Sequence, residues 1–221
     1  MTRTDADDGF TLAEAAVTVG LLGLVLATAF GALTAFTGIA GGTGRRMENL
    51  EQARLLMNVT TRDLRTATPT LIAGVKTAAF VSATADSVEF YANLRFNATT
   101  PVTDPPVRVR LFLETDPGDA TRRQLVETVT ALPTTAVPSP VPRRRVIGQS
   151  LLPSTEMFCY DTAAEAADDP GAWCASSTVP ALADIAMVRV RILVQRNSAQ
   201  GPTILTSSVY LPNVALDKVA L

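Results

Sequence analysis

Thirty consecutive residues, Ala15 to Gly44, carry no charge, and a single carboxylate, Glu14, stands at their head. Nothing else in the chain restricts its fold as much. As an α-helix, the segment from Phe10 to Ile39 would reach about 45 Å, enough to cross a bilayer with residues to spare. It is too long for the apolar region of a secretory signal and has no small-x-small cleavage site behind it. An ionised side chain in hydrocarbon costs at least a few kcal/mol, so Glu14 implies a partner and a purpose.

The 221 residues leave room for one such anchor and one domain of ordinary size. There is no histidine. That removes Ser-His-Asp and Cys-His catalysis, His-ligated zinc and the commonest general base near neutral pH. The expectation is therefore a protein that is not an enzyme, with no catalytic, cofactor or metal site. A formal net charge of −2 gives no electrostatic reason to expect a specific nucleic-acid partner.

Gly9-Phe10-Thr11-Leu12-Ala13-Glu14, with the apolar helix behind it, resembles the processing signal of type IV prepilins and type II secretion pseudopilins. The likeness covers residue types, their order and their distance from the N-terminus. It implies that residues 1–9 are a leader, removed between Gly9 and Phe10 by a membrane-embedded prepilin peptidase, with Phe10 then N-methylated. It also implies that Glu14 pairs with the α-amino group of a neighbouring subunit's Phe10 as subunits stack, which checks axial register because an unpaired buried carboxylate is costly. The implied partners are other pilin or pseudopilin subunits through the helix, the prepilin peptidase, the pilus assembly platform and the membrane. The implied location is a single-pass cytoplasmic membrane protein, then a surface or periplasmic filament with its head outside the cytoplasm. This leader departs from the family's usual basic composition, setting Asp5, Asp7 and Asp8 against Arg3.

The chain divides by pattern into four parts. Residues 1–9 are the leader. Residues 10–44 form a transmembrane or filament-core helix, whose closing glycines at 38, 41, 42 and 44 predict a hinge or melted turn. Residues 45–68 read as an amphipathic stalk helix with Met47, Leu50, Leu56, Met57, Val59 and Leu64 on its apolar stripe, stopped by Pro69. Residues 69–221 turn strand-like and form a β-rich head. Strands are expected at Ser87–Ala92, Val107–Glu114, Gln124–Leu132, Arg145–Leu152, Glu156–Asp161, Ile185–Gln195 and Ile204–Leu211, the last two as a hairpin. Asp116-Pro117-Gly118-Asp119 reads as a turn and Pro133 to Pro142 as a surface loop. Arginines at 108, 110, 189 and 191 alternate with aliphatic residues, which predicts the wet face of a half-buried antiparallel sheet. Arg143-Arg144-Arg145 reads as a solvated basic patch, with an acidic neighbour or DNA as the rival.

The fold expected is α+β: a long N-terminal transmembrane and stalk helix packed on a C-terminal antiparallel sheet, as in type IV pilins. Met157 to Asp161, followed by a loop and then Ile185 to Val194, loosely resembles the C-terminal part of J-type pseudopilins and PilW-like minor pilins. Cys159 and Cys174 have two readings, a disulfide if the domain is exported or two structural thiols if it is not. Between them lie Asp161, Glu165, Asp168 and Asp169, carboxylates of the kind calcium takes, though not at EF-hand spacing. The leading expectation is a minor pilin or pseudopilin. The rival is a single-pass anchored binding protein or adhesin that never polymerises.

Overall fold

The computed structural model describes residues 11–72, 74–93, 106–132, 140–153, 156–168, 173–174, 178–196 and 201–215. The leader, Gly9, Phe10, Asp169 and most of the Pro133–Pro142 loop lie outside these residues. One helix, α1, runs from Leu12 to Arg65. Thr11 caps it, its hydroxyl accepting the Glu14 N–H at 3.3 Å and its carbonyl the Ala15 N–H at 3.1 Å.

The predicted hinge does not appear, since helix continues through Gly38, Gly41, Gly42 and Gly44. Each glycine costs at most ~1 kcal/mol relative to alanine. A break would require a second helix to nucleate after it, which costs more than propagating the first. The chain separates into two compact units, Met1–Met47 and Glu48–Leu221. The second half of α1 therefore belongs with the sheet on which it was expected to pack.

The second unit is antiparallel throughout. A small hairpin pairs β1 (Thr70–Ile72) with β2 (Val75–Thr77), turned by Gly74 at φ 81°, a backbone conformation open chiefly to glycine. The main sheet has eight strands: β3 (Phe80–Ala83), β4 (Ser87–Ala92), β5 (Val107–Asp116), β6 (Asp119–Ala131), β7 (Arg143–Leu151), β8 (Phe158–Asp161), β9 (Met187–Val194) and β10 (Thr203–Tyr210). Their order is β10-β9-β7-β6-β5-β4-β3, with β8 also paired to β9. All seven expected strands are present, and the β9–β10 hairpin is regular over eight residue pairs. The Asp116–Asp119 turn also forms, Asp116 Oδ1 accepting the Gly118 N–H at 2.9 Å. The strands at 70–83 and two short helices, α2 (Ala163–Asp168) and α3 (Pro212–Ala215), were not legible from periodicity.

The core lies between the second half of α1 and one face of the sheet. Ala53, Leu56 and Leu64 from the helix meet Phe90, Val109, Leu111, Leu125, Val190 and Ile192, all essentially solvent-free. The helix comes so close to β7 that a Cβ on Gly148 would sit 2.6 Å from Leu56 Cδ2. Only glycine permits that approach.

Candidate functional site

The first half of α1 holds Glu14, the residue to which the sequence assigned a role in assembly, whereas the processing residues Gly9 and Phe10 lie outside the described residues. No residue from Leu12 to Glu48 is buried, and Leu12, Val19, Phe36 and Ile39 are each at least 70 % exposed. The helix is long and apolar enough to cross a membrane, and its most apolar 18-residue window is entirely unburied. Hydrophobic residues cover it on every side, the pattern of a helix meant for lipid or for other helices.

Within that surface, Gly20, Gly23, Ala27, Gly31, Thr34 and Gly38 recur in steps of three and four and so share one face. A Cβ at Gly20, Gly23, Gly31 or Gly38 would meet nothing within 4 Å. Their small size relieves no crowding inside the described chain. At 100° per residue, Glu14 falls on the side opposite this face.

Glu14 occupies the first turn of α1, where the helix dipole favours an acid. Thr11-x-x-Glu14 also has the composition of a capping box, and Thr11 makes its half of it. The reciprocal bond is absent: among the described residues the Glu14 carboxylate has no hydrogen bond and no ion pair.

The second feature singled out from sequence is the cysteine pair. Cys159 on β8 and Cys174 form a disulfide, their Cα atoms 5.8 Å apart. Asp161 and Trp173, near the two ends of the closed loop, lie against the arginines of β9, and this overturns part of the wet-face expectation. Arg189 is only 2 % exposed, its Nε donating to Asp161 Oδ2 at 2.6 Å, while Asp161 is fully buried. Arg191 stacks its guanidinium 3.8 Å over the Trp173 ring. Both faces of β9 are therefore covered, which an apolar–basic alternation cannot signal. Arg108 and Arg110 on β5 are exposed as expected, with Arg108 paired to Glu89 at 2.9 Å.

The loop carboxylates proposed for calcium are partly committed elsewhere. Asp161 holds Arg189, and Glu165 accepts both the Thr162 N–H and its hydroxyl at 2.9 Å. Those two bonds, the backbone one first, hold the Glu165 carboxyl below the usual range. They complete a Thr162-x-x-Glu165 capping box that starts α2, a signal present in the sequence but not used above. No cluster of three metal-ligating side chains occurs among the described residues. Tyr160 is buried, and burial raises its phenol well above the ordinary value. Its hydroxyl, 2.9 Å from Thr84 O and 3.0 Å from Ser87 O, braces β8 against the β3–β4 turn.

The triple-arginine run is also accounted for. Arg144 pairs with Glu114, and Arg145 Nε donates to Glu127 Oε2 at 2.7 Å. Glu127 in turn faces Asp63 from α1. Burial first, then the Glu127 charge, pushes Asp63 up to about 6 against the opposing pull of Arg62. A groove of about 680 Å³ follows the outer side of β7, walled by Glu48, Glu51, Gln52 and Leu55 of α1 and by Arg196. Arg196 pairs with Glu48 at 3.6 Å, and Gln52 Nε2 donates to Gln149 O at 2.5 Å. These are ion-paired and amide groups, not a nucleophile set beside a base.

Compared with known proteins, the chain matches no family model and no curated protein.

Proposed function

We propose that this chain is a structural subunit of a type IV pilus-like filament, a minor pilin or pseudopilin, and not a catalyst. The observation that carries the reading is the first half of α1. It is apolar on every side, and among the described residues it is buried against nothing and the carboxylate in its first turn has no partner. Such a helix needs a medium other than water, and Glu14 needs a cation that the described chain does not provide. Both needs are met if the leader is cut between Gly9 and Phe10, and the new α-amino group of one subunit pairs with Glu14 of the next. The small-residue face, which no Cβ contact explains, then lets neighbouring helices approach closely. Membrane, prepilin peptidase and assembly platform are the partners such a pathway requires.

The finer placement, near J-type pseudopilins and PilW-like minor pilins, rests on the β8-loop-β9 sequence alone. Intact-mass measurement of the membrane-extracted protein tests the class. The expected species begins at Phe10 and carries one methyl group. Retention of residues 1–9 would favour an anchored binding protein or adhesin that does not polymerise. Glu14→Ala is the second test: the variant should reach the membrane yet lose incorporation into filaments, and unchanged assembly would sink the filament reading.

A further inference from the structure

A sheet edge is a row of unpaired backbone donors and acceptors, and proteins ordinarily disable it with proline, lysine, bulges or brevity. The other end of this sheet follows that rule, β3 being four residues long with a register irregularity between Phe80 and Ser82. At β7 the outer side carries three arginines and two register shifts, and the Gln52 side chain already engages the Gln149 carbonyl. β10 has none of these devices. Thr203-Ile204-Leu205-Thr206-Ser207-Ser208-Val209-Tyr210 contains no charge and no proline, and its register against β9 is unbroken. Every second residue of β10 turns both its N–H and its C=O outward.

The side chains of β10 show what fits there. Ile204 and Tyr210, 56 % and 59 % exposed, stand at opposite ends of the outer face, while Leu205 and Val209 stand on the core face. Set two copies of β10 antiparallel, with Ser207 opposite Ser207 of the second copy. Ile204 then meets Tyr210, Leu205 meets Val209 and Thr206 meets Ser208, each twice by symmetry. Facing residues share a face of the sheet, and aromatic–β-branched and hydroxyl pairs are the favourable ones. Sliding the pairing by two residues puts Ile204 and Leu205 opposite serine in one direction, and Val209 opposite Ser207 and Tyr210 opposite Thr206 in the other. Sliding by one turns each core-facing residue against an outward-facing one. The strand is thus complementary to itself in one register, with no charge to repel.

We propose that the β-rich units of two chains pair through β10, edge to edge and centred on Ser207, joining their sheets into one. An edge pair of eight residues is small for a stable interface. Where α1 holds both chains in one bilayer, the high effective concentration compensates.

Cross-linking of the full-length protein in membranes tests this. Cys159 and Cys174 are bonded to each other, so an added cysteine is the new free thiol. Chains carrying Thr206→Cys and chains carrying Ser208→Cys are produced together and oxidised without a linker. Their Cα atoms would lie opposite each other, within disulfide reach, whereas two Thr206→Cys chains are offset by two residues and lie beyond it. The mixture should therefore yield about tenfold more disulfide-linked dimer than Thr206→Cys alone. Adding Ile204→Lys and Tyr210→Lys to both chains should abolish the product by facing lysine with lysine. Placing Glu at both positions in one chain and Lys in the other should restore it. Equal cross-linking in matched and offset pairs overturns the proposal, as does persistence of the product with lysine on both sides. If the lysine variants fail to fold, the matched-against-offset comparison still decides. Loss of the product on introducing Glu14→Ala would make it a by-product of filament packing and would also overturn β10 pairing.

Discussion

The two halves of α1 share one backbone conformation and have opposite surroundings. From Leu12 to Glu48 nothing is buried, although almost every residue before Arg45 is apolar or small. From Asn49 to Leu64 seven residues are buried, among them the polar Asn49, Thr60 and Asp63, although charges punctuate the sequence. Hydrophobicity therefore does not locate the core of this protein. What distinguishes the second half is periodic apolar spacing matched to the sheet. The first half is apolar on all sides, so no single face of a domain could satisfy it. One half stabilises a fold and the other, among the described residues, is buried against none of it.

Substitutions and reduction can break this comparison, and the measure is unfolding of the β-rich unit, followed by denaturant. Arg189→Leu should cost about 3–5 kcal/mol, since it leaves the buried Asp161 carboxyl without its partner and with Oδ1 already unpartnered. A loss below about 1 kcal/mol would mean that water reaches the flank beneath the disulfide. Leu56→Ala should cost about 2–5 kcal/mol, whereas Leu24→Ala should leave the same transition within about 0.5 kcal/mol of the parent. Equal losses would refute the division of α1 into a packed half and a free half.

Opening the Cys159–Cys174 bond with a reductant should cost about 3 kcal/mol, as expected for a loop of its length. Trp173 fluorescence should then move toward that of a water-exposed indole, and an unchanged spectrum would show that the loop keeps its place without the bond.

The smallest effect depends on pH. Asp63 is held neutral more readily in the folded protein, at about 6, than in the unfolded chain, where 3.8 is usual. Below pH 4 both states are protonated and the group contributes no difference. As pH rises from about 4 through about 6 the folded state must ionise a buried acid beside Glu127, and stability falls. Asp63→Asn should remove that decline, giving no advantage at pH 4 and on the order of 2 kcal/mol above pH 6.5, since the variant also gives up the Arg62 contact. An advantage independent of pH would show that Asp63 does not titrate in this range.

Legibility from sequence followed the range of the interaction. The Asp116–Asp119 turn and the β9–β10 hairpin rest on residues a few positions apart, and both were readable. Residues close in sequence also misled when something distant intervened. The alternation at Val188 to Ile192 was the same as at Val107 to Leu111, yet Arg189 is buried and Arg108 is not. Asp161 and Trp173 cover the arginines of one strand, and among the described residues no segment covers those of the other. Gly148 had no signature as a contact point, because its constraint comes from Leu56, far away in the chain.

By itself, then, the sequence determined the elements and the anomaly: a long helix with a lone acid at its head, a stop at Pro69, and strands with a recognisable final hairpin. Those follow from local propensity and from the period at which apolar residues recur. Tertiary structure alone decided which faces stay open. It kept the helix intact through its glycines, closed both faces of β9, set Asp63 against Glu127 and left β10 uncovered. Whether a face is covered depends on segments remote in sequence, so no reading of one strand or helix contains the answer.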